Sequence, residues 1–171
     1  MPNTHEFTTE DVEYLRHGDT RLIARLYKPK GEGPFPAVID LHGGAWNSGD
    51  LAGTQGLDET LARNGFVVAS LNFRHAADGY PNTLIDINYA IRWLKARARE
   101  LKVKPDQIGI AGQSSGGHLA MLAAMRPNDS RYASASLPAG APPVDATVRA
   151  VAMSWPVINP LSRYRHSQKL E

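Results

Sequence analysis

The sequence predicts an α/β fold: a mostly parallel sheet of about six strands with helices on both faces, in a single partial domain over residues 1–171. After an initial hairpin, predicted strands and helices alternate, which is the pattern of a parallel sheet with helical crossovers. Two of the strands, at residues 36–41 and 66–73, are almost continuously apolar, as strands covered on both faces are. The composition, 42% hydrophobic and 21% charged, is that of an ordinary folded domain.

The remaining strands follow from local patterns. Strands at 12–15 and 22–27 form the hairpin, and they turn at His17-Gly18-Asp19. A loop rich in proline and glycine over 29–36 separates the hairpin from the third strand. A fifth strand leads into Gly112.

Three helices complete the alternation. The first, over 57–64, ends at Gly65, a residue suited to a left-handed helix cap. The second is long, because apolar residues recur every three or four positions at Leu84, Ile87, Ile91, Leu94, Ala98 and Leu101. The third covers 118–125. A loop over 127–145, rich in serine, alanine and proline, leads to a sixth strand at 148–155.

Charge and composition restrict the partners. The net charge is +2 and the basic residues are scattered, so nothing favours nucleic acid or an anionic membrane. The absence of cysteine excludes disulfides and thiolate metal sites. The N-terminal residues show no targeting pattern, and no apolar run is long enough to cross a bilayer. We therefore expect a cytoplasmic protein with no nucleic-acid partner, no membrane partner, no metal and no cofactor.

A Gly-x-Ser-x-Gly motif joins the fifth strand to the third helix, with Ser114 at its centre. A sharp strand-to-helix turn holds such a serine in strained backbone geometry, and glycines two residues before and after let the neighbouring backbone approach. The pattern alone is weak, and its position between a strand and a helix gives it meaning. Ser114 is thus a candidate nucleophile; the alternative is a helix N-cap in a glycine-rich turn.

A second motif, His42-Gly43-Gly44-Ala45-Trp46, directly follows the third strand. Acyl transfer places negative charge on a former carbonyl oxygen, and hydrogen-bond donors aimed at that oxygen stabilise it by about 2.7–4 kcal/mol each. Glycines expose such N–H groups. The predicted oxyanion donors are the amides of Gly43 and Gly44 on one side and of Ser115 on the other.

These two motifs make the chain resemble the α/β-hydrolase superfamily, and within it the hormone-sensitive-lipase-type esterases and the neighbouring feruloyl and acetyl-xylan esterases and formamidases. Further matching stretches are residues 70–74, Tyr80-Pro81, Asp86, Trp93-Leu94 and 154–157. Residues 75–79 depart from the hormone-sensitive-lipase pattern, which favours the feruloyl-esterase and formamidase side.

The resemblance implies a serine hydrolase that cleaves carboxylic esters of small or short acyl groups through an acyl-enzyme on Ser114. It also implies a catalytic acid after a seventh strand and a histidine after an eighth. The 171 residues end near the sixth strand, so we expect the N-terminal two-thirds of such a hydrolase, lacking that acid and histidine. The activity of the chain alone is then expected to be strongly reduced.

Several side chains are candidates for the cleft. Trp46 and Tyr80 are candidate apolar walls for the substrate, and His75 lies at the C-terminal end of the fourth strand, where open α/β sheets bind ligands. Simple packing is the alternative for all three. His42 is expected to brace the oxyanion loop, and Asp86 to be a structural hydrogen-bond partner.

Other functions remain open. Formamidase-type amide hydrolysis uses the same residues, and a fragment without its base is a candidate non-catalytic protein. An improvised triad would pair His166 with Asp129 or Asp145, whereas His118 is expected to pack behind the turn.

Beyond a small-molecule ester, the sheet edge indicates a protein partner. The sixth predicted strand ends the sheet without a neighbour, and exposed edges and apolar patches recruit partners. We expect either a homo-oligomer or pairing with a complementing C-terminal segment.

Overall fold

Six strands form one sheet in the computed structural model, which describes residues 4–170. The strands are β1 (Phe7–His17), β2 (Thr20–Pro29), β3 (Phe35–Leu41), β4 (Val67–Leu71), β5 (Val103–Gln113) and β6 (Ala150–Ser154). The helices are α1 (Gln55–Arg63), α2 (Asn82–Ala96), α3 (Ser115–Met125) and α4 (Pro160–Ser167), with a short 3-10 turn at Ala76–Asp78.

The strand order is β1-β2-β4-β3-β5-β6. The pairs β4/β3, β3/β5 and β5/β6 are parallel, whereas β1/β2 and β2/β4 are antiparallel. The predicted α/β fold with a mostly parallel sheet is therefore confirmed. Because β3 and β5 are neighbours, their carboxyl ends bring the loop after Leu41 beside the turn after Gln113.

Helices cover both faces, as predicted. The larger core lies between the sheet and α2 and α3, and it includes the buried side chains of Ile39, Ile110, Ile87 and Leu119. On the opposite face α1 packs on β2 and β4, where Ala62 and two strand residues form a smaller core.

The first two strands are longer than predicted. Their outward face carries charged pairs that run between the strands, such as Asp11 with Arg25 and Glu13 with Arg21. Paired charges on a solvated face lengthen the ladder without any apolar signal, so the apolar pattern detected only the inner segments.

The second helix is shorter than predicted. It ends at Ala96, and the chain then turns through Lys102, which has a left-handed φ of 54°. Ala98 and Leu101 are nevertheless buried, at 7% and 6% exposure. The spacing of Ala98 and Leu101 therefore reflects their burial, and the helix does not continue through them. The third helix, in contrast, begins at Ser115, three residues earlier than predicted, because the turn at Ser114 leads straight into it.

Asp86 is a structural hydrogen-bond partner, as expected. Its carboxylate is fully buried and accepts bonds from the Arg74 backbone amide at 3.0 Å and from the Arg74 Nη2 at 2.7 Å. His17 Nε2 lies 2.9 Å away on the other side. These contacts tie β1 and α2 to the segment that follows β4, which carries His75.

The C-terminal end of the described chain is poorly covered. Every residue of β6 is exposed, and α4 has no buried residue. Within residues 4–170, no helix combines the length and the apolar character needed to cross a bilayer.

Candidate active site

The turn between β5 and α3 holds Ser114 in strained geometry. Its φ is 53° and its ψ is −119°, outside the regions that a non-glycine residue prefers. The Ser114 amide donates to the Ser154 carbonyl at 3.0 Å, which anchors the turn to β6. Such strain persists only where the surroundings enforce it, and it presents the side chain at the carboxyl edge of the sheet.

The glycines around Ser114 are required by close backbone contacts. A Cβ at Gly116 would lie 2.2 Å from the Leu41 carbonyl oxygen, and one at Gly112 would lie 2.5 Å from the Gly116 carbonyl oxygen. No side chain fits at these separations. The helix therefore packs directly on the end of β3, which fixes the distance between the two sequence motifs.

The loop after β3 approaches the serine from the other side. A Cβ at Gly43 would lie 3.4 Å from the Ser114 Cβ, so the two motifs are in contact. The Gly44 carbonyl accepts from the amides of Asn47 and Ser48, at 3.0 and 3.1 Å, and this closes the loop into a turn. Ala45 has a left-handed φ of 53°.

Three amides near the serine lack a backbone acceptor in the described part of the chain: those of Gly43, Gly44 and Ser115. The Ser115 amide belongs to the first turn of α3, where N–H groups have no partner within the helix. Free donors from a glycine loop and a helix N-terminus suit a developing oxyanion.

His42 braces the loop, as expected. It is 3% exposed, its ring stacks on Phe73 at 4.3 Å, and its Nδ1 lies 2.7 Å from the Gly43 carbonyl oxygen. A carbonyl only accepts, so Nδ1 carries the proton and Nε2 is bare. Burial lowers the pKa of His42, which keeps the ring neutral.

Trp46 links the loop to two other elements. Its Nε1 donates to His118 Nδ1 at 3.3 Å, and the rings meet edge to face at 5.6 Å. Its carbonyl accepts from the Ala76 amide at 2.8 Å. Burial lowers the pKa of His118, and the neutral ring it favours supplies the acceptor. His118 thus holds the loop against α3, which is the packing role expected of it.

The other two candidate cleft residues are placed differently. His75 meets His42 edge to face at 5.8 Å, so it lies beside the loop. Tyr80 is 66% exposed, and its hydroxyl lies 2.9 Å from that of Tyr132. Trp46 is therefore part of the loop, His75 lies beside it, and Tyr80 pairs with the segment after α3.

No base is hydrogen-bonded to Ser114 within residues 4–170. The improvised triad is not assembled: Asp129 binds Arg131 at 2.6 Å and Asp145 binds Lys95 at 2.7 Å. His166 lies in α4. Among the described residues, the Ser114 hydroxyl therefore has free amides beside it and no histidine or carboxylate bonded to it.

Two buried carboxyl groups were missed by sequence analysis. Asp40 on β3 and Asp58 on α1 are 1% and 0% exposed, and Thr54 Oγ1 donates to Asp58 at 3.3 Å. Among the described residues, Asp40 Oδ2 and Asp58 Oδ1 have no hydrogen-bond partner. Burial raises the pKa of Asp40 to about 6 and that of Asp58 to about 7. The signal in the sequence for this pair was Asp40, an acidic residue inside an apolar strand.

This pair is expected to make the stability depend on pH. The folded protein binds the protons more tightly than the unfolded chain, whose aspartates have a pKa of 3.8, so the free energy of unfolding falls as pH rises towards about 7. Asp58→Asn should stabilise the protein at pH 8 by roughly 1–3 kcal/mol. Urea unfolding from pH 4 to 8 measures this, with Glu59→Gln as the control. An unchanged pH profile in Asp58→Asn would contradict the assignment.

Comparison with known proteins identifies the family. The BD-FAE family model matches residues 25–167. The probable carboxylic ester hydrolase LipM of Mycobacterium tuberculosis is 35% identical over 126 residues, covering 71% of this chain and 29% of LipM. Esterase LipC of the same organism is 38% identical over 121 residues, covering 69% of this chain and 29% of LipC.

Solved structures of an esterase are also similar to this chain. Esterase 2 of Thermogutta terrifontis superposes in its apo form with a TM-score of 0.74 and 28% identity, over 92% of this chain and 57% of that one. The same esterase phosphorylated by paraoxon gives a TM-score of 0.75 and 27% identity, over 87% and 57%. The chain spans less than two thirds of each of these relatives. On its sequence and its fold, the chain belongs to the BD-FAE family of α/β-hydrolase esterases.

Proposed function

We propose that this chain carries the nucleophile and the oxyanion donors of a serine carboxylesterase. The observation behind the proposal is the contact between the two motifs, in which Gly43 lies against Ser114 and the strained serine heads α3. The Ser114 hydroxyl attacks the ester carbonyl, and a base takes its proton. The carbonyl oxygen gains the negative charge, the base gives its proton to the departing alcohol, and the acyl group remains on Ser114 until water releases it.

The amides of Gly43, Gly44 and Ser115 stabilise the negative charge in this proposal. They are fixed before substrate arrives, because the glycine turn, the His42 stack and the Trp46 bond to His118 hold the loop in place. Preorganised donors cost little reorganisation when charge develops, and each is typically worth about 2.7–4 kcal/mol.

The proposed substrates are small-molecule esters with short acyl groups. Trp46 in the loop and His75 beside it are the proposed wall for the acyl group, and the exposed Tyr80 is a further candidate. The similar Thermogutta esterase has been solved with propionate and with butyrate bound, at 25% identity to this chain. Short acyl groups fit both observations.

The base is proposed to lie outside the described residues. Ser114 has no hydrogen-bonded histidine within the described residues, so a complementing C-terminal segment would supply the acid and the histidine. The chain alone should therefore hydrolyse p-nitrophenyl acetate at least about a thousandfold more slowly than full-length LipM.

A series of p-nitrophenyl esters tests the proposal. Residual hydrolysis should be fastest with acetate to butyrate and should fall for longer acyl groups, whereas an N-aryl formamide should react more slowly. Faster cleavage of the formamide would favour the formamidase alternative. Rates no higher than those of a heat-denatured sample on every substrate would favour a non-catalytic protein.

A further inference from the structure

We propose that His118 is a positioning residue of the oxyanion hole, which keeps the amides of the glycine loop in register with the amide that α3 contributes. The inference rests on the function proposed above and assigns one side chain a defined task within it. Three features carry it: the strained backbone of the loop, the hydrogen bond from Trp46 to His118, and the position of His118 one helical turn after Ser114.

The loop that supplies two of the proposed donors has a strained backbone. Ala45 and Trp46 are consecutive residues with φ angles of 53° and 65°. A left-handed φ is disfavoured for residues that carry a Cβ, and it persists only where contacts enforce it. Because Gly44 directly precedes these two residues, relaxation of either one would displace the Gly44 amide.

Two contacts hold Trp46 in this conformation. Its carbonyl accepts from the Ala76 amide at 2.8 Å, which joins the loop to the segment after β4. Its indole Nε1 donates to His118 Nδ1 at 3.3 Å, and the two rings meet edge to face. The second contact joins the loop to α3, the helix that provides the Ser115 amide.

His118 lies close to the nucleophile along the helix. Its backbone amide donates to the Ser114 carbonyl at 3.2 Å, in the first turn of α3. Side chains of a helix lean towards its N-terminus, so the His118 ring projects over the turn that holds Ser114 and Ser115. The bond to Trp46 therefore sets the distance between the donors of the loop and the donor of the helix.

This task requires a hydrogen-bond acceptor at position 118. An indole N–H only donates, so Nδ1 of His118 carries no proton and the neutral ring holds its proton on Nε2. In asparagine, the side-chain oxygen takes the place of Nδ1, whereas leucine fills a similar volume and has no acceptor. His118→Asn and His118→Leu therefore form a matched pair of variants.

Nuclear magnetic resonance of the indole N–H groups in the 171-residue protein tests the bond itself. The Trp46 signal is identified by its loss in Trp46→Phe. In His118→Leu this signal should move upfield and exchange faster with solvent, and in His118→Asn it should stay near its wild-type position. A Trp46 signal that does not move in His118→Leu would overturn the inference.

The rate at which a fluorophosphonate labels Ser114 tests the consequence for the oxyanion hole. His118→Leu should label at least about tenfold more slowly than the wild type, and His118→Asn should recover most of the rate. In a Trp46→Phe background, His118→Leu should cause no further loss, because the bond is already absent. Met125→Leu, at the exposed end of the same helix, is the control and should label at the wild-type rate.

The outcomes separate this inference from the function on which it rests. Labelling of His118→Leu at the wild-type rate would overturn the role of His118 and leave the proposed function intact. A further loss in the double variant would also overturn it, because His118 would then act without Trp46. A wild type that is not labelled on Ser114 would overturn the proposed function, and the role of His118 with it.

Discussion

Asp86→Ala is expected to lower the free energy of unfolding by about 3–5 kcal/mol, because it leaves Arg74 without its buried partner. The Asp86 side chain is fully buried and that of Arg74 is 15% exposed. The variant loses the bond to the Arg74 backbone amide as well, so the segment carrying His75 should loosen. Urea denaturation monitored by circular dichroism measures the change.

Asp11→Ala is the matched control. Asp11 receives two bonds from Arg25, at 2.7 and 2.8 Å, in the same forked geometry but at the surface. Exposed ion pairs typically contribute 1 kcal/mol or less, so the control should lose at most about that much. Equal losses in the two variants would contradict the buried role assigned to Asp86.

Gly116→Ala is expected to destabilise the protein by about 3 kcal/mol or more, because the added Cβ overlaps backbone atoms that cannot move independently. That Cβ would lie 2.2 Å from the Leu41 carbonyl oxygen and 2.4 Å from that of His42. Relief requires α3 to move away from β3, and Ser114 would then move away from Gly43. The melting temperature of the variant measures this loss of stability.

Gly56→Ala provides a close comparison. Gly56 is the second residue of α1, as Gly116 is of α3, but a Cβ there meets nothing within 4 Å. Alanine in an open helix position stabilises by up to about 1 kcal/mol. If Gly116→Ala melted no lower than Gly56→Ala, the packing of α3 on β3 would be looser than described.

The Gly-x-Ser-x-Gly and His-Gly-Gly motifs could be identified from the sequence because each is formed by neighbouring residues. A turn in which an added Cβ would lie 2.5 Å from other backbone atoms requires glycine, and the flanking strand and helix carry ordinary apolar patterns. The same holds for β3, in which Ile39, Asp40 and Leu41 are all buried at the end of the strand.

Other features depend on contacts between distant residues, and no local pattern records them. The His118 acceptor for Trp46 lies 72 positions away in sequence, and the pairing of β4 with both β2 and β3 is a choice among topologies. Asp40 and Asp58 become a pair only when α1 packs on the sheet. Their raised pKa values arise from burial, which the sequence does not state.

The position of the covalent product of a fluorophosphonate tests whether Ser114 is the nucleophile. The chain is incubated with excess reagent for an extended time, digested and mapped by mass spectrometry, beside Ser114→Ala and the exposed-serine control Ser130→Ala. We expect slow labelling, because no described base contacts Ser114, with one phosphonyl group on the peptide that contains Ser114 in the wild type and the control and none in Ser114→Ala. A group attached to another residue, or equal labelling of Ser114→Ala, would contradict the central claim that Ser114 is the nucleophile.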